Sequence, residues 1–330
     1  MVPFPGRRIL EYQIETTPEV EAAYAACEER LTRHRGHVLD RARGLQNLER
    51  RRAFFAAYLS LRVAAPALLP RPFGRSRSRE RSVEAIAAWC DAAGRCQRGN
   101  PDPGDPTQIA LADAMARFQI TTQPWSDLAR GLAALAGGDP VPDVITFLHR
   151  ARCLALPPAG VFFRILCSRR GVRRYRFARE VDVEELAHDP AVFAYFVGVM
   201  CDVFSELEHL GTTSIPRELL DRHGLTPGDL AAMCDGETPE PSFAQLMQDM
   251  ALFAWTFYES GVTKITQAAA SLSPEIIAEL DGFLDHYKGA LRSLEEAGFA
   301  PVRFKTLAGG LEPRRLGGTE RVGPGESLSR

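Results

Sequence analysis

From Val20 to Ala297, apolar residues return every three or four positions in one segment after another. This period limits what the chain can build, because it lines up one face of a helix, whereas a half-buried strand needs a period of two. It runs through residues 20–35, 45–69, 82–95, 107–117, 125–136, 143–156, 190–210, 243–267 and 274–297. Alternating runs are scarce, and Val172 to Phe177 is the one short strand candidate. Asp105-Pro106-Thr107 and Ser273-Pro274-Glu275 put a capping side chain before a first-turn proline, while Gly137-Gly138-Asp139-Pro140 and Gly298 read as stops. Connections are short and no repeat is visible. The expectation is an all-α protein of about ten to thirteen helices in one domain over residues 1–310. The Gly-, Arg-, Glu- and Ser-rich stretch from Leu311 to Arg330 reads as a disordered tail.

Charge and cysteine usage remove several function classes. Forty basic residues against 42 acidic ones leave a net charge of −2, without the bulk electrostatic footprint of a nucleic-acid binder. No run approaches about eighteen apolar residues, so no membrane span is expected. The opening Met1-Val2-Pro3-Phe4-Pro5-Gly6-Arg7-Arg8 lacks the apolar centre of a signal peptide. Cys27, Cys90, Cys96, Cys153, Cys167, Cys201 and Cys234 are scattered, odd in number and free of zinc-ligand spacing. They fit reduced thiols, and a cytoplasmic location is expected.

Two features carry chemistry. Asp202 and Glu206 stand four apart, so a helix brings their carboxylates to one face, with His209 offset by about 20°. Paired carboxylates in a helical bundle ask for a cation, and hard oxygen ligands favour Mg²⁺. The same spacing also suits a solvated acidic stripe that includes Glu208. Arg62 is a lone charge inside the apolar run from Tyr58 to Ala64 and wants an anionic partner. The basic stretch Arg71 to Arg81 reads either as a solvated loop or as a lid that brings arginine to an anion.

The segment from Tyr195 to Leu230 resembles the second acidic motif of the squalene/phytoene synthase family. Cys201-Asp202-Val203-Phe204-Ser205-Glu206 is followed by Gly211, Ser214-Ile215-Pro216-Arg217-Glu218-Leu219-Leu220, Arg222-His223-Gly224-Leu225-Thr226 and Asp229-Leu230. Arg51-Arg52-Ala53 with Tyr58 and Arg62-Val63-Ala64 resembles the family's first conserved helix. Gln119-Ile120, Pro124 and Asp127-Leu128-Ala129-Arg130-Gly131 resemble its middle segment. Pro158-Ala159-Gly160 is similar to a family turn, and Tyr287, Leu291 and Glu296-Ala297-Gly298-Phe299 to its closing helix. The resemblance spans about residues 35 to 305. It implies an isoprenoid-synthase-like helical bundle with a deep central cavity, Mg²⁺ as cofactor and an allylic diphosphate as substrate.

The chain departs from that pattern where the family's first acidic motif should stand. Ala65, Pro66 and Leu69 occupy its three carboxylate positions, and Pro66 should bend or end the helix. Leu135 replaces a further aspartate. Tyr195, Gly198 and Cys201 replace the usual Gln, Asn and Arg. With one diphosphate site lost, the resemblance implies transfer of one short prenyl group, dimethylallyl or geranyl, to a neutral aromatic acceptor. Phytoene-synthase-like enzymes of secondary metabolism that prenylate carbazoles are the analogous subgroup. On this reading Asp202 and Glu206 hold the metal, and Arg62, Lys264 and Arg217 hold the diphosphate. Ala65, Leu68 and Leu69 form one wall of the chamber and Tyr195 the other, Tyr58, Tyr195, Phe257 and Tyr258 shield the cation, and His209 or the diphosphate takes the proton. The alternatives are a non-catalytic scaffold, or a head-to-head synthase in which Asp40 or Asp91 fills the gap.

Overall fold

Thr17, Asn47, Ser78, Asp105, Asp143 and Ser273 each turn a side-chain oxygen onto a free N–H of a helix's first turn, and helices begin directly after them. The computed structural model describes residues 16–34, 37–69, 78–168, 182–210, 212–234, 241–299, 302–307 and 310–315. Side chains at 66, 205, 208–210, 234 and 302–315 lie outside that description.

Thirteen α-helices follow one another among the described residues. They are α1 Pro18–Leu31, α2 His37–Gly44, α3 Leu48–Tyr58, α4 Arg79–Gln97, α5 Pro106–Phe118, α6 Gln123–Gly137, α7 Val144–Leu154, α8 Leu156–Cys167, α9 Val183–Leu210, α10 Arg217–Arg222, α11 Pro227–Cys234, α12 Pro241–Ala268 and α13 Pro274–Glu296. A π-helical turn, Leu59–Ala64, continues α3, and a short 3₁₀ turn, Pro66–Leu68, follows it. The run closes at Ala64, just ahead of Pro66, but α-helical pairing has already given way to the π turn at Leu59, and Pro66 itself opens the 3₁₀ turn.

Two expectations need correction. Pro158-Ala159-Gly160 is not a turn but the third to fifth residues of α8, whose proline-bearing start needs no N–H donors there. The strand signal also lay elsewhere: Val302–Leu307 and Gly310–Arg315 form an antiparallel hairpin, β1 and β2, against α9 and α13. Val172 to Phe177 lies outside the described residues. So does the tail from 316 onward, although 311–315 of the expected tail belongs to a strand.

Helix α9 is the axis of the fold. It packs on α7, α8, α11, α12 and α13, and Phe193, Phe196 and Phe204 are sealed within the core. Val183–Phe204 is long and apolar enough to cross a membrane, but most of it is covered by its own fold. Pro190 sits inside α9 without breaking it. The price is one lost N–H, and its ring fills the space left by Gly261 of α12, where an added Cβ would come within 3.2 Å. Beside that contact, Asp189 accepts from Ser260 Oγ at 2.6 Å, pairs with Lys264 Nζ at 2.8 Å and meets His188 Nδ1 at 2.7 Å. These bonds pin α9 to α12.

Candidate active site

Around most of its circumference α9 is closed: Val197, Val199, Met200, Cys201, Val203 and Phe204 are buried. Exposure persists along Tyr195, Gly198, Asp202 and Glu206, with Leu207 beside them. At about 100° per residue, Tyr195, Asp202 and Glu206 fall within about 40° of one another. The stripe opens onto a recess inside the bundle: Asp202 is exposed, yet surrounding protein raises its carboxyl above the ordinary value, opposed by Arg62.

Arg62 reaches this recess from the π-helical turn. That turn is braced by two indoles: Trp125 Nε1 donates to Ser60 Oγ at 2.8 Å and Trp89 Nε1 to the Ser60 carbonyl at 3.2 Å. A π-turn leaves backbone carbonyls poorly paired, and Trp89 supplies one of the missing donors. Tyr58 precedes the turn on α3, and Tyr287 comes from α13. Burial raises both phenols; Arg62 lowers both, and Tyr287 also feels Tyr58 and Asp202. Among the described residues, Tyr58, Arg62, Asp202 and Tyr287 make no side-chain hydrogen bond or ion pair with the protein. A carboxylate, a guanidinium and two phenols left without partners around one recess form a site prepared for a polar ligand.

Glu206 has a different environment. Its Oε2 accepts from the Ser214 backbone N–H at 2.7 Å and its Oε1 from the Ser214 hydroxyl. Burial raises its carboxyl, while Ser214 and then Arg150 lower it. Glu206 therefore also ties the end of α9 to the 212–216 connection, a structural role that the expectation of a metal-binding pair did not include. Among the described residues, no group of three or more His, Cys, Asp or Glu could hold a metal ion. One free carboxylate suits a magnesium ion that keeps its waters and is bridged to substrate phosphates; it does not make a cage for a resident ion.

Other expected site residues are distributed unevenly. Lys264 is engaged by Asp189, thirteen residues before Asp202 and so about 20 Å along the helix. Arg217 is exposed and faces Asp221 at 3.7 Å. Phe257 stacks on Phe196 at 5.9 Å and Tyr258 packs on Phe193 at 5.3 Å while accepting from Lys288 at 2.7 Å. Both rings therefore contribute to packing on buried sides of α9. Ala65 is buried and Leu69 half-buried against the core. Tyr195 lies beside Phe147 at 5.0 Å, with its hydroxyl buried on the side of Ser214 and Glu206. His209 belongs to the last turn of α9, and its side chain lies outside the description. The stretch 71–77 of the basic loop does too. Asp40 is taken by Arg43, and Asp91 is exposed on α4.

Tyr287 and Ser214 were not singled out as site residues from the sequence. Tyr287 stands in an ordinary apolar stripe of α13, and only packing brings it to Arg62. Ser214 could have been suspected as a hydroxyl beside a helix end that carries a carboxylate eight residues earlier.

The family model described as squalene/phytoene synthase matches residues 42–315. Comparison with curated proteins returned no sequence match. Among solved structures, the squalene synthase HpnC from Alicyclobacillus acidocaldarius superposes with a TM-score of 0.70 at 16% identity, covering 87% of this chain and 98% of that one. A dehydrosqualene synthase in complex with ligand gives 0.68 at 14% identity, covering 86% and 90%. YisP from Bacillus subtilis gives 0.53 at 16% identity, covering 85% and 88%. At these identities the likeness establishes the fold.

Proposed function

The chain belongs to the squalene/phytoene synthase family and is a prenyltransferase-type enzyme; from that premise we propose that it moves one short allylic group, dimethylallyl or geranyl, from its diphosphate to a neutral aromatic acceptor in secondary metabolism. The observation that carries this reading is the asymmetry of the recess. Asp202 is one free carboxylate on α9, while the segment from Leu59 to Leu69 carries no acid at all. Binding two allylic diphosphates calls for two metal-bridged anchors; this arrangement suits one.

In this mechanism Arg62 holds the diphosphate by charge-assisted hydrogen bonds, and Asp202 is the residue that would hold a Mg²⁺. Bound there, the ion would supply neutralisation of the charge on the leaving diphosphate. The allylic C–O bond breaks and the electron pair leaves with the diphosphate. The faces of Tyr58 and Tyr287 stabilise the allylic cation electrostatically. A carbon of the aromatic acceptor supplies the electrons for the new C–C bond, and the departing diphosphate takes the proton that restores the ring. A short, water-soluble donor needs no membrane reservoir, which fits action in the cytoplasm.

Isothermal titration of geranyl thiodiphosphate with and without Mg²⁺ tests the reading. Magnesium-dependent binding near one equivalent, abolished in Asp202→Asn, is expected. Two equivalents would point instead to head-to-head condensation. No binding would leave a non-catalytic scaffold as the better account.

A further inference from the structure

A helix end can be tied to a loop by any acceptor, and an uncharged amide would serve as well as a carboxylate. Glu206 is instead a desolvated carboxylate one turn from Asp202, whose like charge opposes its ionisation. Burying that charge is costly unless the surroundings compensate it. Here they do. The Ser214 N–H donates to Oε2 at 2.7 Å, its hydroxyl donates to Oε1, and the Arg150 guanidinium favours the charged form from α7. Two donors of one residue grip both oxygens and so fix the plane of the carboxylate.

The residues that grip Glu206 are themselves held. Ser214 and Ile215 are each 2% exposed, and the Ile215 N–H donates to Thr213 Oγ1 at 3.1 Å. Just beyond them, the backbone N–H groups of Arg217 and Glu218 donate to the carbonyls of Val141 and Pro142 at 2.7 and 2.9 Å. Buried Arg150 donates from Nη2 to the Asp139 carbonyl at 2.7 Å, at the start of that same 139–143 connection. The two connections are thus stitched into one platform at the end of α9. An ionised carboxylate has about four acceptor positions. Ser214 takes one on each oxygen, and Glu206 remains part-exposed on the recess stripe. Acceptor capacity and a full negative charge are left beside Asp202.

We propose that Ser214 is a positioning residue for the cation site: acting through Glu206, it fixes a second, oriented negative charge one turn from Asp202 and so strengthens the hold on a divalent cation. This deepens the prenyltransferase reading and rests on it for the diphosphate that arrives with the cation. Removing a hydrogen bond that orients a carboxylate beside a metal commonly lowers metal affinity about 10- to 100-fold.

The experiment follows Mn²⁺ by the loss of its free electron-paramagnetic-resonance signal, on the full chain with geranyl thiodiphosphate present. Wild type is compared with Ser214→Ala, Ser214→Thr, Glu206→Gln and the double variant, each checked for folding by circular dichroism. Ser214→Ala should weaken Mn²⁺ binding by about tenfold or more, and Ser214→Thr should restore it to within about threefold. The double variant should bind no more weakly than Glu206→Gln alone, because Ser214 acts only through that carboxylate. A mere tether would lower the melting temperature of Ser214→Ala and leave Mn²⁺ affinity unchanged. That result, or additive losses in the double variant, would overturn the proposal. If Ser214→Ala does not fold, hydrogen exchange on wild type decides: Mg²⁺ with the thiodiphosphate should slow exchange in the peptide carrying Ser214, and unchanged exchange would overturn the proposal. Two equivalents of thiodiphosphate, with the Ser214→Ala loss intact, would uphold the positioning role and defeat the single-transfer reading. No Mn²⁺ binding in wild type would overturn both.

Discussion

Asp202 and Glu206 are the same kind of residue pair by spacing and two different things by environment. Asp202 is desolvated and unpartnered; Glu206 is desolvated but holds Ser214 through both oxygens. Replacing Glu206 by Ala leaves the buried Ser214 hydroxyl and N–H without their acceptors, and should cost about 1–3 kcal/mol in a urea melt. Asp202→Asn should behave oppositely. Its carboxyl is raised in the folded state, so the unfolded chain ionises first as pH rises and wild-type stability falls through that window. The variant is therefore expected to melt above wild type at neutral pH, with the gap closing as pH drops from the raised folded value to the ordinary carboxylate value. Paired thermal melts at several pH values check both statements. Spacing made this acidic face readable in the sequence. The division of labour within it was not, because it depends on Ser214 arriving from a separate connection.

At the scale of elements, two contacts are expected to separate support from chemistry. Lys264 was expected at the diphosphate; its partnership with Asp189 makes it a pin between α9 and α12 instead. Lys264→Met should therefore lower stability by about 1–3 kcal/mol while leaving thiodiphosphate affinity unchanged in titration. The π-helical turn should show the converse coupling. Ser60→Ala removes the acceptor for the buried Trp125 indole, and should both destabilise the protein and weaken the thiodiphosphate, because the turn sets the position of Arg62. A calorimetric titration run beside a thermal melt distinguishes the two outcomes. Helix positions were readable from period and caps. Several elements were not: α2, α10 and α11, too short to show a period, α8, hidden behind two prolines, and β1–β2, whose sequence has no clean alternation and whose partners are distant in the chain.

Across the whole molecule, the stacked His37 and His286 join the first third of the chain to the last, with ring centroids 3.8 Å apart. Burial lowers both imidazoles, and His286 falls to about 4. His37 also bonds the Gly282 carbonyl, and Asp40, Arg41, Glu279, Asp281 and Asp285 carry the surrounding charge. The unfolded chain binds protons near the ordinary histidine value and the folded chain does not, so stability should decline as pH falls from about 6.5 toward 4. His286→Phe keeps a ring against His37 and should flatten that decline, as read from melting temperature against pH.

The sequence by itself determined the helical class, most helix limits, the resemblance to the family and the loss of carboxylates at Ala65, Pro66 and Leu69. These follow from local periodicity, capping and residue identity, all of which act between near neighbours in the chain. Tertiary structure alone decided that Tyr287 joins Arg62 and Asp202, that Lys264 is spoken for, and that Ser214 is brought to Glu206. Each of those depends on which side chain from a distant helix arrives to desolvate, pair with or leave open a given group, and no local pattern encodes that arrival.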